Sequence, residues 1–187
     1  MTSLAMALAL ISLVLVGPTF AIEVRPSEEM VAQTVEDGKK DAEKNRATTM
    51  NRFGVTSGTC SGFGFIQTKL FYIRSTSKVN ARKMRPTSKK EIDSLLSAPA
   101  MEITYVLCTS SANQTDHHMV LQQGEQVIQP VKVVIPHSEV TASKSYVYTL
   151  MGVFTYGSFH PKAETTIIVI PEMGEKVEHR VKLSEYR

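Results

Sequence analysis

Cys60 stands in Gly58-Thr59-Cys60-Ser61-Gly62, the Gly-x-nucleophile-x-Gly spacing in which a sharp strand-to-helix turn exposes a reactive thiolate. The chemistry would be acyl transfer, with a histidine as general base. Such an elbow needs an apolar strand before it and a helix after it. Here Asn51-Arg52-Phe53-Gly54 precedes and a strand-like pattern follows, and no alternation of strands and helices occurs elsewhere. A small secreted Cys/His hydrolase built on Cys60 is therefore the alternative expectation, and a non-enzymatic protein the leading one. The other use of Cys60 is a disulfide with Cys108. One pairing is possible, and closing that loop would stabilise the fold by about 4 kcal/mol. Two buried free thiols acting as small hydrophobes are the competing possibility.

The five histidines are His117, His118, His137, His160 and His179. A zinc site needs ligands that converge, whereas adjacent residues on a strand, such as His117 and His118, point to opposite faces. His179 keeps phase with Val177 and Val181 and is expected to be a partly buried, hydrogen-bonded core residue. No metal and no cofactor are expected. Asn113-Gln114-Thr115 is an N-glycosylation sequon, meaningful only in a eukaryotic secretory pathway; the low cysteine count favours a bacterial envelope protein instead.

Charge offers the strongest lead to a function. From Lys44 to Lys90 the chain carries eleven Lys and Arg and no Asp or Glu, while acids outnumber bases from Glu91 onward. Within that run Lys69, Arg74, Lys78, Arg82, Lys83 and Arg85, with Phe71 and Tyr72 among them, are the candidate cationic binding surface. The partner would be an anionic envelope polymer, lipid head groups or a protein. Nucleic acid matches the charge but not the expected address. The competing use of these residues is as solvated guards of an edge strand.

The address comes from the first residues. Leu4 to Val16 is a short uncharged apolar run that ends at Gly17-Pro18, and Thr19-Phe20-Ala21 supplies small residues ahead of Ile22. This is the form of a secretory signal peptide, too short to cross a bilayer that needs roughly 20 apolar residues. Processing before Ile22 and a periplasmic or secreted product are expected, with no transmembrane span.

The elements that would position these groups follow from hydrophobic period. Residues 22–54 are polar and predict a loosely held helix, starting at Pro26-Ser27-Glu28-Glu29, or a tail, with Gly38 interrupting it and Glu36 to Asp41 as a solvated turn. Phe63 to Arg74 predicts one long strand and Ser75 to Arg85 a basic connection. Ser88 and Glu91 form a capping box for a short helix that stops at Ala98-Pro99. Strands are expected at Met101 to Cys108, His117 to Gln122, Gln126 to Ile135, Tyr146 to Phe154, Thr165 to Ile170 and Val177 to Leu183. Gln123-Gly124-Glu125 would form a hairpin turn, and Pro130 would break its strand or confine it to an edge. About seven strands at this spacing predict a mainly β, two-sheet antiparallel sandwich, immunoglobulin-like or related, over residues 55–187, with a small open barrel as the other architecture. The expectation is an exported β-sandwich acting as a binding or assembly module at the cell envelope through a cationic surface and a strand edge. A passive structural subunit is the third possibility.

Overall fold

The computed structural model describes residues 24–48, 51–54, 62–109, 116–135, 139–140 and 146–186, with backbone alone at 108–109 and 139–140. The expected signal peptide, Cys60 and its elbow up to Ser61, the Asn113 sequon and His137 lie outside the described residues. So does the side chain of Cys108, whose backbone pairs with Val147.

Among the described residues, three α-helices and ten strands follow in the order α1 (Glu28–Glu43), β1 (Asn51–Gly54), β2 (Phe63–Gln67), α2 (Lys69–Arg82), α3 (Lys89–Leu96), β3 (Ala100–Thr109), β4 (His118–Gln123), β5 (Gln126–Ile128), β6 (Lys132–Val134), β7 (Glu139–Val140), β8 (Tyr146–Thr155), β9 (Glu164–Ile170) and β10 (Val177–Lys182), with a 3-10 turn at Leu183–Glu185 after them. One sheet runs β1-β2-β3-β8-β6, with β7 also on β8; the other runs β10-β9-β4-β5. Every pairing is antiparallel, so the protein is the two-sheet sandwich expected of its strand pattern.

Period-2 alternation decides which side chains enter the space between the sheets. On β3, Met101, Ile103 and Tyr105 are fully buried, and Leu150 and Phe154 of β8 share their face. Met119 and Leu121 of β4, Ile167 and Val169 of β9 and Val181 of β10 meet them from the other sheet in one core. The strand expected at Gln126 to Ile135 is broken at Pro130, which has no N–H to give to a ladder. β5 before it closes the edge of one sheet and β6 after it lies at the edge of the other, so the chain changes layers there. The turn between β4 and β5 is Gly124-Glu125, with Gly124 at φ 58°, a conformation that glycine adopts without steric cost. β9 and β10 pair as expected, Val177 against Val169 and Val181 against Thr165.

The helices depart most from expectation. β2 ends at Gln67, and the long strand expected over Phe63 to Arg74 does not form. Thr68 caps a helix instead, its hydroxyl accepting from the Phe71 N–H at 3.2 Å. Leu70, Ile73, Ser77 and Asn80 recur at helical spacing on the buried face, so packing overrides the strand preference of Phe71, Tyr72 and Ile73. The basic connection expected from Ser75 is the rest of that helix. Nor does Gly38 interrupt α1, and Glu36 to Asp41 is helix rather than turn. α1 starts within the expected Pro26-Ser27-Glu28-Glu29 segment, where Ser27 caps it by accepting from the Met30 N–H, and Ser88 with Glu91 forms the expected capping box on α3.

Candidate interaction surface

α2 and α3 are inserted between β2 and β3, whose ends meet where Gln67 pairs with Glu102. α1 packs on α2, so the helices form a layer at that end of the first sheet. Two side chains of α2 tie it down. The Tyr72 hydroxyl bonds both Gln67 and Glu102, and burial together with the Glu102 carboxylate pushes its ionisation well above the usual tyrosine range. Lys69 donates to the backbone carbonyls of Val24 at 3.1 Å and Leu96 at 2.6 Å. Its ammonium lies 4.9 Å from the Tyr156 ring centre, a cation–π distance. Lys69 is 8% exposed, and desolvation lowers its pKa. The Tyr156 hydroxyl is in turn pushed up to about 12 by burial.

The six cations expected to share one strand and loop therefore part company. Lys69 is an internal tie that joins the N-terminal segment, the end of α3 and the sandwich. Arg74 is also engaged: its Nε and Nη2 hold Asp41 at 2.7 and 3.1 Å, a two-point guanidinium–carboxylate pair. Asp41 is buried, and the hydrogen bonds from Arg74 hold its carboxyl below the usual carboxylate range. The helices touch at Gly38, where a Cβ would lie 2.5 Å from the Arg74 carbonyl oxygen and 2.8 Å from the Ser77 Cβ. The glycine that looked like a helix breaker is the close-approach point between α1 and α2. Lys78 is half-buried on α2.

The remaining cations converge at the far end of α2. Arg82 donates to the Asn45 side chain at 2.5 Å, bringing the end of α1, with exposed Lys44 and Arg46, beside the end of α2. Asn80, 1% exposed, organises the connection to α3. Its Oδ1 accepts from Arg85 at 2.9 Å and its Nδ2 faces Thr87 and the Glu91 carboxylate. Glu91 also accepts from the backbone and hydroxyl of Ser88 and from Arg85. The Ser88 N–H foremost holds its carboxyl below the usual range. This network fixes the segment bearing Lys83, Arg85, Lys89 and Lys90, all four exposed. Among the described residues no ion pair engages Lys83, Lys89 or Lys90. Sequence reasoning named Lys83 and Arg85 but not Lys89 and Lys90 as candidates. The unbroken basic run to residue 90 was the available signal.

α1 tempers this potential, for it carries six acids, Glu28, Glu29, Glu36, Asp37, Asp41 and Glu43, against Lys39 and Lys40. The cationic surface is thus the far tip of the helical layer rather than one whole face of the molecule.

The histidines lie elsewhere. His117 is buried and its neighbour His118 exposed, the opposite facing expected of them. The His117 Nδ1 accepts the Glu172 N–H, and its ring rests on Tyr148. His179 bonds the Tyr105 hydroxyl across the sandwich at 2.9 Å and packs against Phe53, the partly buried core role expected; burial lowers its pKa. No cluster of His, Cys, Asp and Glu suited to a metal exists among the described residues, and no helix among them is long and apolar enough to cross a membrane.

No family model and no curated protein matches the chain. Among solved structures it is similar to IgNAR antibody domain C3, with 13% identity over 52% of this chain and 88% of that chain and a TM-score of 0.32.

Proposed function

We propose that this protein is an exported, non-enzymatic β-sandwich that serves as a binding module at the cell envelope, engaging an anionic partner through the tip of its helical layer. The observation that carries this reading is a division of labour among the cations. Lys69 and Arg74 are consumed by packing, whereas Lys83, Lys89 and Lys90 are exposed on a segment held in place by Asn80 and Glu91. A second feature supports it. Lys89 and Lys90 occupy the first turn of α3, where the helix dipole disfavours positive charge by a few tenths of a kcal/mol or more. Sites that violate a local stability rule without structural return are where function is expected. The β10 edge fits an interface poorly by comparison, because it presents Glu178, Arg180 and Lys182 outward, and such charges discourage strand pairing.

The test is retention on a dextran sulfate column across a salt gradient, comparing the unmodified protein with the K83Q/K89Q/K90Q variant. The variant should elute at lower salt with a melting temperature no lower than that of the unmodified protein, since two charges that oppose the α3 dipole are removed. Coincident elution would reduce the basic tip to a solvated surface.

A further inference from the structure

We infer that the anionic partner is a lipid bilayer surface, with Met84 as the residue that enters it; this rests on the proposed function and names the partner class. Met84 is 95% exposed, the most exposed of the large apolar side chains described, and Val79 on the preceding helical turn is 45% exposed. Met84 is flanked by Lys83 and Arg85, and the cations of the tip surround this pair in sequence and through the Arg82–Asn45 contact.

The backbone shows that folding does not account for this methionine. α1 and α2 end in the same way. In α1 the Asn45 N–H bonds the Ala42 carbonyl and the Arg46 N–H the Asp41 carbonyl; in α2 the Met84 N–H bonds the Ala81 carbonyl and the Arg85 N–H the Asn80 carbonyl. Both are Schellman motifs, whose first residue beyond the cap must be left-handed. Asn45 takes φ 49° and Met84 φ 53°. Asparagine is one of the few residues that suit this position, and methionine is not. One residue therefore combines unfavourable backbone conformation with full apolar exposure, at the centre of a cationic tip. A soluble polyanion would reward the charges and leave Met84 unused. A bilayer carrying anionic head groups rewards both, since lysines are attracted to the surface and an apolar side chain gains by leaving water at the acyl boundary.

The chain contains no Trp, which makes M84W a reporter at a single site. The experiment uses sedimentation with phosphatidylcholine vesicles, with and without phosphatidylglycerol, alongside the dextran sulfate column. M84G suits the left-handed turn and keeps the fold. Its binding to phosphatidylglycerol vesicles should fall roughly tenfold, the order expected for losing one buried apolar side chain, with dextran sulfate retention unchanged. M84W emission should shift to the blue on those vesicles and not with dextran sulfate. K83Q/K89Q/K90Q should lose about a hundredfold in vesicle binding, roughly fivefold per lysine. If M84G and the unmodified protein bind vesicles equally, or if M84W emission does not shift, insertion is wrong while retention by dextran sulfate leaves the cationic reading standing. If neither vesicles nor dextran sulfate retain the protein, both fail.

Discussion

Replacing Gly38 with alanine sets two calculable effects against each other. In an isolated helix the change should stabilise α1 by about 1 kcal/mol, the difference in helix propensity. In this fold the new Cβ would fall 2.5 Å from the Arg74 carbonyl oxygen and 2.8 Å from the Ser77 Cβ, with the Lys78 nitrogen at 3.1 Å. Two of these are backbone atoms and the third is itself a Cβ, so no rotamer change can relieve the contact. The helices must move apart by roughly 0.5–1 Å, and overpacking of this kind costs about 1–3 kcal/mol. The shift also loosens the Arg74–Asp41 pair one turn away, now at 2.7 Å, where charged hydrogen bonds contribute about 1.5–3 kcal/mol when intact. The net expectation is destabilisation of about 2 kcal/mol, or a Tm lower by about 4–8 °C for a chain of this length. Thermal unfolding followed by circular dichroism reads it directly. A Tm equal to or above that of the unmodified protein would refute the close helix contact and restore Gly38 as an ordinary, poorly chosen helix residue.

Asp41→Asn should destabilise the protein near neutral pH and flatten its acid profile. The folded-state pKa of Asp41 is depressed, so its contribution is present above the unfolded value of about 3.9 and is lost as pH falls through the folded value; chemical denaturation at pH 7 and at pH 3 should show the gap between variant and parent narrowing at the lower pH. Asn80→Ala should cost about 1–3 kcal/mol, since it strips partners from Arg85 and Glu91 at a buried position, and hydrogen exchange should report loosening of the turn from residue 83 to 88 with the sandwich core unaffected.

The sandwich was legible because its strands are half-buried. Met101, Ile103, Tyr105 and Leu107 alternate with Glu102, Thr104 and Val106, and Val177, His179 and Val181 with Glu178 and Arg180, and that period is the image of one face turned to a core. The helix start at Pro26-Ser27-Glu28-Glu29 and the capping box of Ser88 and Glu91 were legible for a similar reason, being local chemistry that acts within three residues. α2 was not, because its buried face includes Lys69, Ser77 and Asn80, which carry no hydropathy signal, while Phe71, Tyr72 and Ile73 favour a strand when taken alone. Gly38 misled for the complementary reason: a glycine selected for the approach of another helix has the same sequence signature as one that ends a helix. The cationic run was visible as charge, but its partition could not be, since Asp41 lies 33 residues from Arg74 and the carbonyl of Val24 lies 45 from Lys69. Cys60 and Cys108 gave a pairing expectation that lies outside the described side chains.

Under the proposed function the tip of the helical layer, rather than the sandwich, meets an anionic partner. The most direct test of this claim is the salt dependence of retention on dextran sulfate for the unmodified protein and for K83Q/K89Q/K90Q. Retention of the unmodified protein should fall steeply as salt rises past about 0.15 M, where the screening length is near 8 Å, and the triple variant should elute earlier with a flatter dependence and no loss of Tm. Identical elution profiles for the two proteins would contradict the claim.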